Sequence, residues 1–381
     1  MPPPGALAEW LGRGLQSLVR RFESARRLRG HTLAGDVRIR TVLDARPGVP
    51  RRYVLQTLFL AHSWAAFSSR SPLEVVVIGD APASVVARLS ELGVELMGSA
   101  PHPLAEISGP ANKLLALRHP SDAPVLLVDN DVCFLEDVSE LTGRDVCASI
   151  AGKVPVTDEQ WERLEQATGL RPLAVEWVPL REQVDARRAR RPPKPEQRLY
   201  LNSGVVWIRR PSEFEATWTA HIDAIAQAFD GHPAGTKWVR GFGTEQLALA
   251  TAVAEQGSFD LLPLVYNFQP ACFRLGVSEQ QPKILHLFKL AKDEEMPLSR
   301  ALAEIFDGRI IRWIETKWIG REDMDGPGAQ ELRDQRDRVL AQAIDARDRA
   351  LRIAADAELD RFVVADNGRQ ATVGSPASGL V

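Results

Sequence analysis

An α/β fold built on a mixed, mostly parallel sheet is predicted by two observations. Short apolar runs alternate with helical patterns from about residue 36 onward, and one run ends abruptly in acids, in "PVLLVDNDVCFLEDVSEL". Strand, helix, strand in regular succession gives right-handed βαβ units, hence parallel strands with helices on both faces. Such sheets bind ligands beyond the carboxyl ends of their strands, which is where Asp129 and Asp131 fall.

The elements follow in order. "DVRIRTVLDA", "PLEVVVIGD" and "GVELMGS" read as strands, separated by the helices "RYVLQTLFLAHSWAAF" and "PASVVARLSEL". A further helix, "PANKLLALRH", leads into the strand "APVLLVDND". After "DVCASIAG" the pattern predicts a helix near 157–168, then a mobile loop in the Pro-, Arg- and Lys-rich "VPLREQVDARRARRPPKPEQR". The strand "RLYLNSGVVWIRR", a helix around 212–229 and the helix opened by "TEQLALA" come next, followed by strand-like "FDLLPLVYNF" and "PKILHLF".

These elements define a domain over 36–320, with extensions on each side. Residues 1–35 form an amphipathic, basic helical extension. Trp10, Leu11, Leu15, Leu18, Val19 and Phe22 share one face, and six Arg in the first 30 residues outnumber Glu9 and Glu23. Such a helix suits peripheral contact with an anionic membrane, or docking on its own domain or on a second copy in a homo-oligomer. Residues 329–362 form a charge-dense helical extension with Leu332, Val339, Ala343, Ala350 and Ala354 near one face, either packed on the domain or in a short coiled coil. The small, polar residues 363–381 read as a disordered tail.

Composition narrows the class. A chain of 381 residues with 45% hydrophobic and 25% charged residues has ample material for one large α/β domain. Its net charge of −3 gives no reason to expect nucleic acid. Cys133, Cys147 and Cys272 have no metal-ligand spacing and do not suggest a disulfide framework, which fits a reducing cytoplasm. No apolar run is long enough to span a membrane, so the expected setting is cytoplasmic, with contact at the inner face of the membrane as the alternative.

Asp129 and Asp131 lie on one side of an extended chain, with Asn130 on the other. Two such carboxylates repel unless a positive group joins them, and a hard divalent cation is the natural partner. Asp-x-Asp alone is weak, being expected by chance about once or twice in a chain of this size. Asp323 and Asp325 form a second such pair, but in a polar, Gly-flanked stretch with no strand before it.

Five motifs in order are similar to those of GT-A glycosyltransferases, most closely glycosyltransferase family 8: "NKLLALR" before "VLLVDNDVCFLEDVSEL", then "LNSGVVWI", "TEQLALA", "LLPLVYNF" and "HLFKLAK". The resemblance spans about residues 36–295. It implies a GT-A, Rossmann-like fold of the nucleotide-diphospho-sugar transferase type. It also implies a retaining, metal-dependent transfer of a hexose from a nucleotide sugar, UDP-sugar favoured, to an unidentified acceptor such as a glycolipid or other glycan. On that pattern Asp129, Asp131 and His286 ligate Mn²⁺ or Mg²⁺, Asp129 also approaching the donor. Lys113, Asn202, Ser203 and Lys292 contact the sugar or phosphates, Asp44 and Tyr53 the base, and Glu245 and Gln246 lie beneath the anomeric carbon.

Several residues depart from the pattern. Lys289 stands where the family has Gly, Asp293 and Glu294 where it has Pro-Trp, and Glu245 where Asp is commoner. The bland alternatives are a core histidine at 286, solvated lysines at 113 and 292, and a helix-dipole role for Glu245 and Gln246. Arg187, Arg188, Arg190, Arg191 and Lys194 form either a lid or grip on an anionic substrate, or a solvated run. Two other functions compete: an inactive GT-A domain that binds nucleotide or a partner protein, and a nucleotidyltransferase. The second needs a Gly-rich phosphate loop, and "DARPGVPRR" is a poor one.

Overall fold

The computed structural model describes residues 37–106, 108–189, 191–231, 243–276, 281–287, 290, 296–318, 329–359 and 370–371. The helix expected over 1–35, the pair Asp323/Asp325, Lys289, Lys292, Asp293 and Glu294 lie outside the described residues. So does nearly all of 363–381, of which Gln370–Ala371 pairs with Ala81–Pro82.

The predicted α/β architecture is present. A seven-stranded sheet uses β1 (Arg38–Asp44), β2 (Leu73–Ile78), β3 (Glu95–Ser99), β4 (Val125–Val128), β6 (Val146–Ile150), β7 (Leu201–Ile208) and β8 (Phe259–Leu261), in the order β8-β6-β7-β4-β1-β2-β3. Four neighbour pairs are parallel; β7 runs antiparallel to both β4 and β6. The strands β2, β4, β6 and β7 are buried along their whole length, as a sheet covered on both faces requires. A separate ladder joins β5 (Val132–Phe134) to β9 (Ile284–His286).

Helices flank the sheet: α1 (Arg52–Phe67), α2 (Ala83–Glu91), α3 (Asp158–Thr168), α4 (Leu180–Ala189), α5 (Pro211–Phe229), α6 (Thr244–Gln256) and α7 (Ala329–Asp356). The α3 start is fixed by a capping box between Thr157 and Gln160, and its end by Gly169 at φ 72°. The segment expected as a mobile loop is instead α4 followed by Glu196–Arg198, which pairs with Ala174–Trp177. Arg191 of this run bridges to Glu182 on α4 at 2.6 Å, a structural partner that composition does not reveal. The helix predicted at "PANKLLALRH" is a 3₁₀ turn over Gly109–Leu114 leading into one α turn, Leu115–Arg118. Of "FDLLPLVYNF" only Phe259–Leu261 is strand, since Pro263 opens a 3₁₀ turn at Leu264–Tyr266. Helix α7 is packed on the domain, burying Val339, Ala343, Ala346, Ala350 and Ala354. Among the described residues no helix is long and apolar enough to cross a membrane. All three cysteines are free, and burial pushes each thiol up to about 12.

Two ion networks hold the 109–118 segment. Arg40, opposite Glu74 in the β1–β2 register, pairs with it in the core and donates to the carbonyls of Ala116 (2.9 Å) and His119 (2.7 Å). Arg118 donates to Glu215 on α5 at 2.9 Å. Burial alone would raise the Glu215 carboxyl, but hydrogen bonds from His102, Thr219 and Arg118 outweigh it and hold it at about 2.

Removing one member of the buried pair, as in Glu74→Ala, should destabilise the fold by about 3–5 kcal/mol, and the Arg40→Met/Glu74→Met double variant by less. Denaturant unfolding of the three proteins measures this. Glu215 has a depressed folded pKa, so its stabilisation is complete above the unfolded value and lost as pH falls toward about 2. Glu215→Gln should therefore lower the melting temperature at pH 7, with the difference from wild type shrinking as pH drops through the acid range.

Candidate active site

The site forms where β4 ends. Asp129, Asn130 and Asp131 make the turn from β4 into β5 rather than prolonging one strand, yet both acids converge on His286. The ladder with β9 sets His286 opposite Val132, and the Leu287 N–H donates to the Asp131 carbonyl at 2.9 Å. His286 Nε2 then lies 3.3 Å from Asp131 Oδ1 and 4.0 Å from Asp129 Oδ2. One ligand atom from each of these three residues falls within 4.8 Å of the others.

The tautomer of His286 is set from behind. Asn267 donates its amide N–H to Asn202 Oδ1 at 2.8 Å, which turns its own carbonyl oxygen to His286 Nδ1 at 2.9 Å. Nδ1 therefore carries a proton, and Nε2 is the ring nitrogen that faces the carboxylates. Two carboxylates and an imidazole are a donor set that could hold a divalent cation. Gly204 belongs to the same arrangement, because a Cβ there would sit 1.9 Å from His286 Cε1. The glycine of "NSG" makes room for the imidazole ring.

A second cluster adjoins the first. Lys113 Nζ lies 2.7 Å from Asp129 Oδ1, 3.4 Å from Glu245 Oε1 and 3.1 Å from Ser203 Oγ. Ser203 in turn donates to Glu245 Oε2 at 2.9 Å. Asn202 and Ser203 are neighbours on a strand, so their side chains serve opposite faces: one braces His286 through Asn267, the other joins Lys113 and Glu245. A β-bulge of β7 against β6 falls at this point, between Asn202 and Val206.

Charge and burial pull the pKa values in opposite directions. Burial would lower the Lys113 ammonium, but Asp129 and Glu245 overrule it and hold it above its ordinary value. Burial pushes the Glu245 carboxyl up, against Lys113 and Ser203. Burial would also raise Asp131, yet His286 and Lys113 outweigh it and keep this carboxyl below its usual range. Glu245 stands in the first turn of α6, where a carboxylate also meets the positive end of the helix dipole. Gln246 accepts from the Tyr200 hydroxyl at 3.0 Å.

Asp44 closes β1 and is gripped by Arg46 (2.7 Å) and by the Asn112 amide (2.8 Å), one residue before Lys113. Tyr53 stands in the first turn of α1 with the Arg52 guanidinium 5.2 Å from its ring centre. Asn267 is the brace that sequence reasoning did not single out. It lies 19 positions from its histidine, and "Tyr-Asn" was its only local signal.

The family model of the Rhodobacterales glycosyltransferase domain matches residues 50–257, more than half of the chain. The chain belongs to this family. The matched span of the transferase includes Lys113, Asp129, Asp131, Asn202, Ser203, Glu245 and Gln246, and stops short of Asn267 and His286. No curated protein matches the chain. Among solved structures it is similar to the glycosyltransferase GlyE of Streptococcus pneumoniae TIGR4, at 15% identity and TM-score 0.37, over 66% of this chain and 54% of that one. It is also similar to mouse xyloside xylosyltransferase 1 in its apo form, at 14% identity and TM-score 0.40, over 66% and 97%. The chain thus spans about half the length of the GlyE structure.

Losing the Asn267 amide should loosen the imidazole. Asn267→Leu is expected to weaken divalent-cation binding at this cluster by about 10–100-fold. Gly204→Ala should weaken it at least as much by displacing the ring, with Mn²⁺ electron paramagnetic resonance as the measurement.

Proposed function

We propose that this glycosyltransferase moves a hexose from a nucleotide-diphosphate sugar, UDP-sugar favoured, to a glycan acceptor, in a GT-A, family-8-like site that needs a divalent cation and retains anomeric configuration. The observation that carries the reading is the Asp129–Asp131–His286 cluster, with the imidazole Nε2 turned to the acids. These three residues would hold Mn²⁺ or Mg²⁺, which would supply positive charge against a departing diphosphate.

The chain's own residues supply the rest. Asp44 and Tyr53 receive the base. Lys113 brings a fixed positive charge beside Asp129, within the donor site. Asn202 and Ser203 brace the sugar-facing strand, and Glu245 and Gln246 lie beneath the anomeric carbon. Lys292 adds a second positive charge toward the phosphates. The acceptor is of the glycan class, and a basic N-terminal segment favours a glycolipid at a membrane face.

The test is nucleotide release from UDP-, GDP- and dTDP-sugars with Mn²⁺ or with EDTA. Slow release from one donor, abolished by EDTA and reduced at least about a hundredfold by Asp131→Asn, is expected. Release that survives both treatments would sink the metal-dependent reading.

A further inference from the structure

We infer that Lys113 is a resident counter-cation that restrains metal loading and favours donor binding, an inference that rests on the metal-site reading above. The ammonium has three N–H donors and four oxygens around it: Asp129 Oδ1, Glu245 Oε1, Ser203 Oγ and the Ser203 carbonyl at 3.3 Å. It is engaged with the protein's own acceptors rather than held out toward a substrate.

Asp129 is divided between two partners. Its Oδ1 meets Lys113 at 2.7 Å, and its Oδ2 faces His286 Nε2 at 4.0 Å. A cation entering the Asp129–Asp131–His286 cluster therefore draws on a carboxylate whose charge the lysine already shares. Three carboxylates, Asp129, Asp131 and Glu245, face one ammonium across the two clusters. The lysine offsets one of those charges, so a divalent cation alone binds less tightly than it would without it. The same ammonium lessens the repulsion of a diphosphate by the acids, so it works against the metal and for the donor.

The geometry also assigns a role to Glu245. It is the second carboxylate on the lysine, and it keeps Lys113 from pairing with Asp129 alone. Converting it to a neutral amide leaves the full ammonium charge to Asp129 and works against the metal. Ser203 bonds to both and holds the lysine between them.

The experiment is Mn²⁺ titration by electron paramagnetic resonance, with and without UDP, on wild type, Lys113→Met, Lys113→Arg and Glu245→Gln, each checked for folding by thermal melt. Lys113→Met should bind Mn²⁺ alone about tenfold tighter, the size expected for one nearby unit charge in a partly screened site. Its Mn²⁺-loaded site should also bind UDP about tenfold more weakly than that of the wild type. Lys113→Arg should behave as wild type, and Glu245→Gln should bind Mn²⁺ alone more weakly. A tighter site is a gain that structural damage does not produce. If Lys113→Met fails to fold, the weakening in Glu245→Gln still decides. Mn²⁺ affinity unchanged or lower in Lys113→Met, or unchanged in Glu245→Gln, overturns the inference while leaving the metal site standing. Absence of Mn²⁺ binding in wild type, with UDP present, overturns both.

Discussion

Three ladder pairs, Ile284–Phe134, Leu285–Cys133 and His286–Val132, bring the far end of the chain to the acidic turn after β4. The rest of the site depends on this short antiparallel match. A two-stranded ladder of three residues has little stability of its own. Here it is tied on both sides: the Phe268 N–H donates to the Ile284 carbonyl at 2.9 Å, and the Leu135 N–H to the Lys283 carbonyl at 2.8 Å. From outside, Arg349 of α7 donates to the Leu135 carbonyl at 3.1 Å. A C-terminal helix that touches none of the acids thus fixes the strand that opposes His286.

The second requirement is a rigid Lys113. Its segment is a 3₁₀ turn with one α turn after it, too short to be stable alone. Order is imposed from three directions. Arg40 reaches out of the sheet to the carbonyls at the end of the turn, Arg118 holds α5 through Glu215, and Asn112 bridges Asp44 Oδ2 to the His102 backbone N–H. Burying Arg40 and Glu74 in the sheet is costly for each ion separately, and pairing them offsets most of that. A wholly apolar pair would pack as well, yet it could not satisfy the Ala116 and His119 carbonyls that end the segment.

Much of this was legible in the sequence where local pattern decides the outcome. The apolar runs that became β1, β2, β3 and β4 and the helix over Arg52–Phe67 were readable, because period and turn residues are local properties. Asp129, Asp131, Lys113, Ser203 and Glu245 are brought together as the motif order suggested. The failures share a cause. The helix α4 looked like a loop because its charged, Pro-flanked composition does not show that it packs on Pro270–Leu275, far along the chain. Asn267 escaped notice because its meaning lies in a contact with His286 and Asn202, 19 and 65 positions away.

Sheet polarity explains why residues from such different parts of the chain meet at one edge. Parallel strands β1 and β4 deliver their carboxyl ends there, hence Asp44 and Asp129. A parallel β7 would have carried Asn202–Ser203–Gly204 to the opposite edge, since those residues open the strand. Because β7 is antiparallel to β4, its beginning lies beside the end of β4, and the Asp129 N–H donates to the Gly204 carbonyl at 2.8 Å. That single bond sets the acid beside the strand whose two faces serve the two clusters. The reversed strand is therefore what allows one short segment to brace the imidazole through Asn202 and to hold the lysine and Glu245 through Ser203.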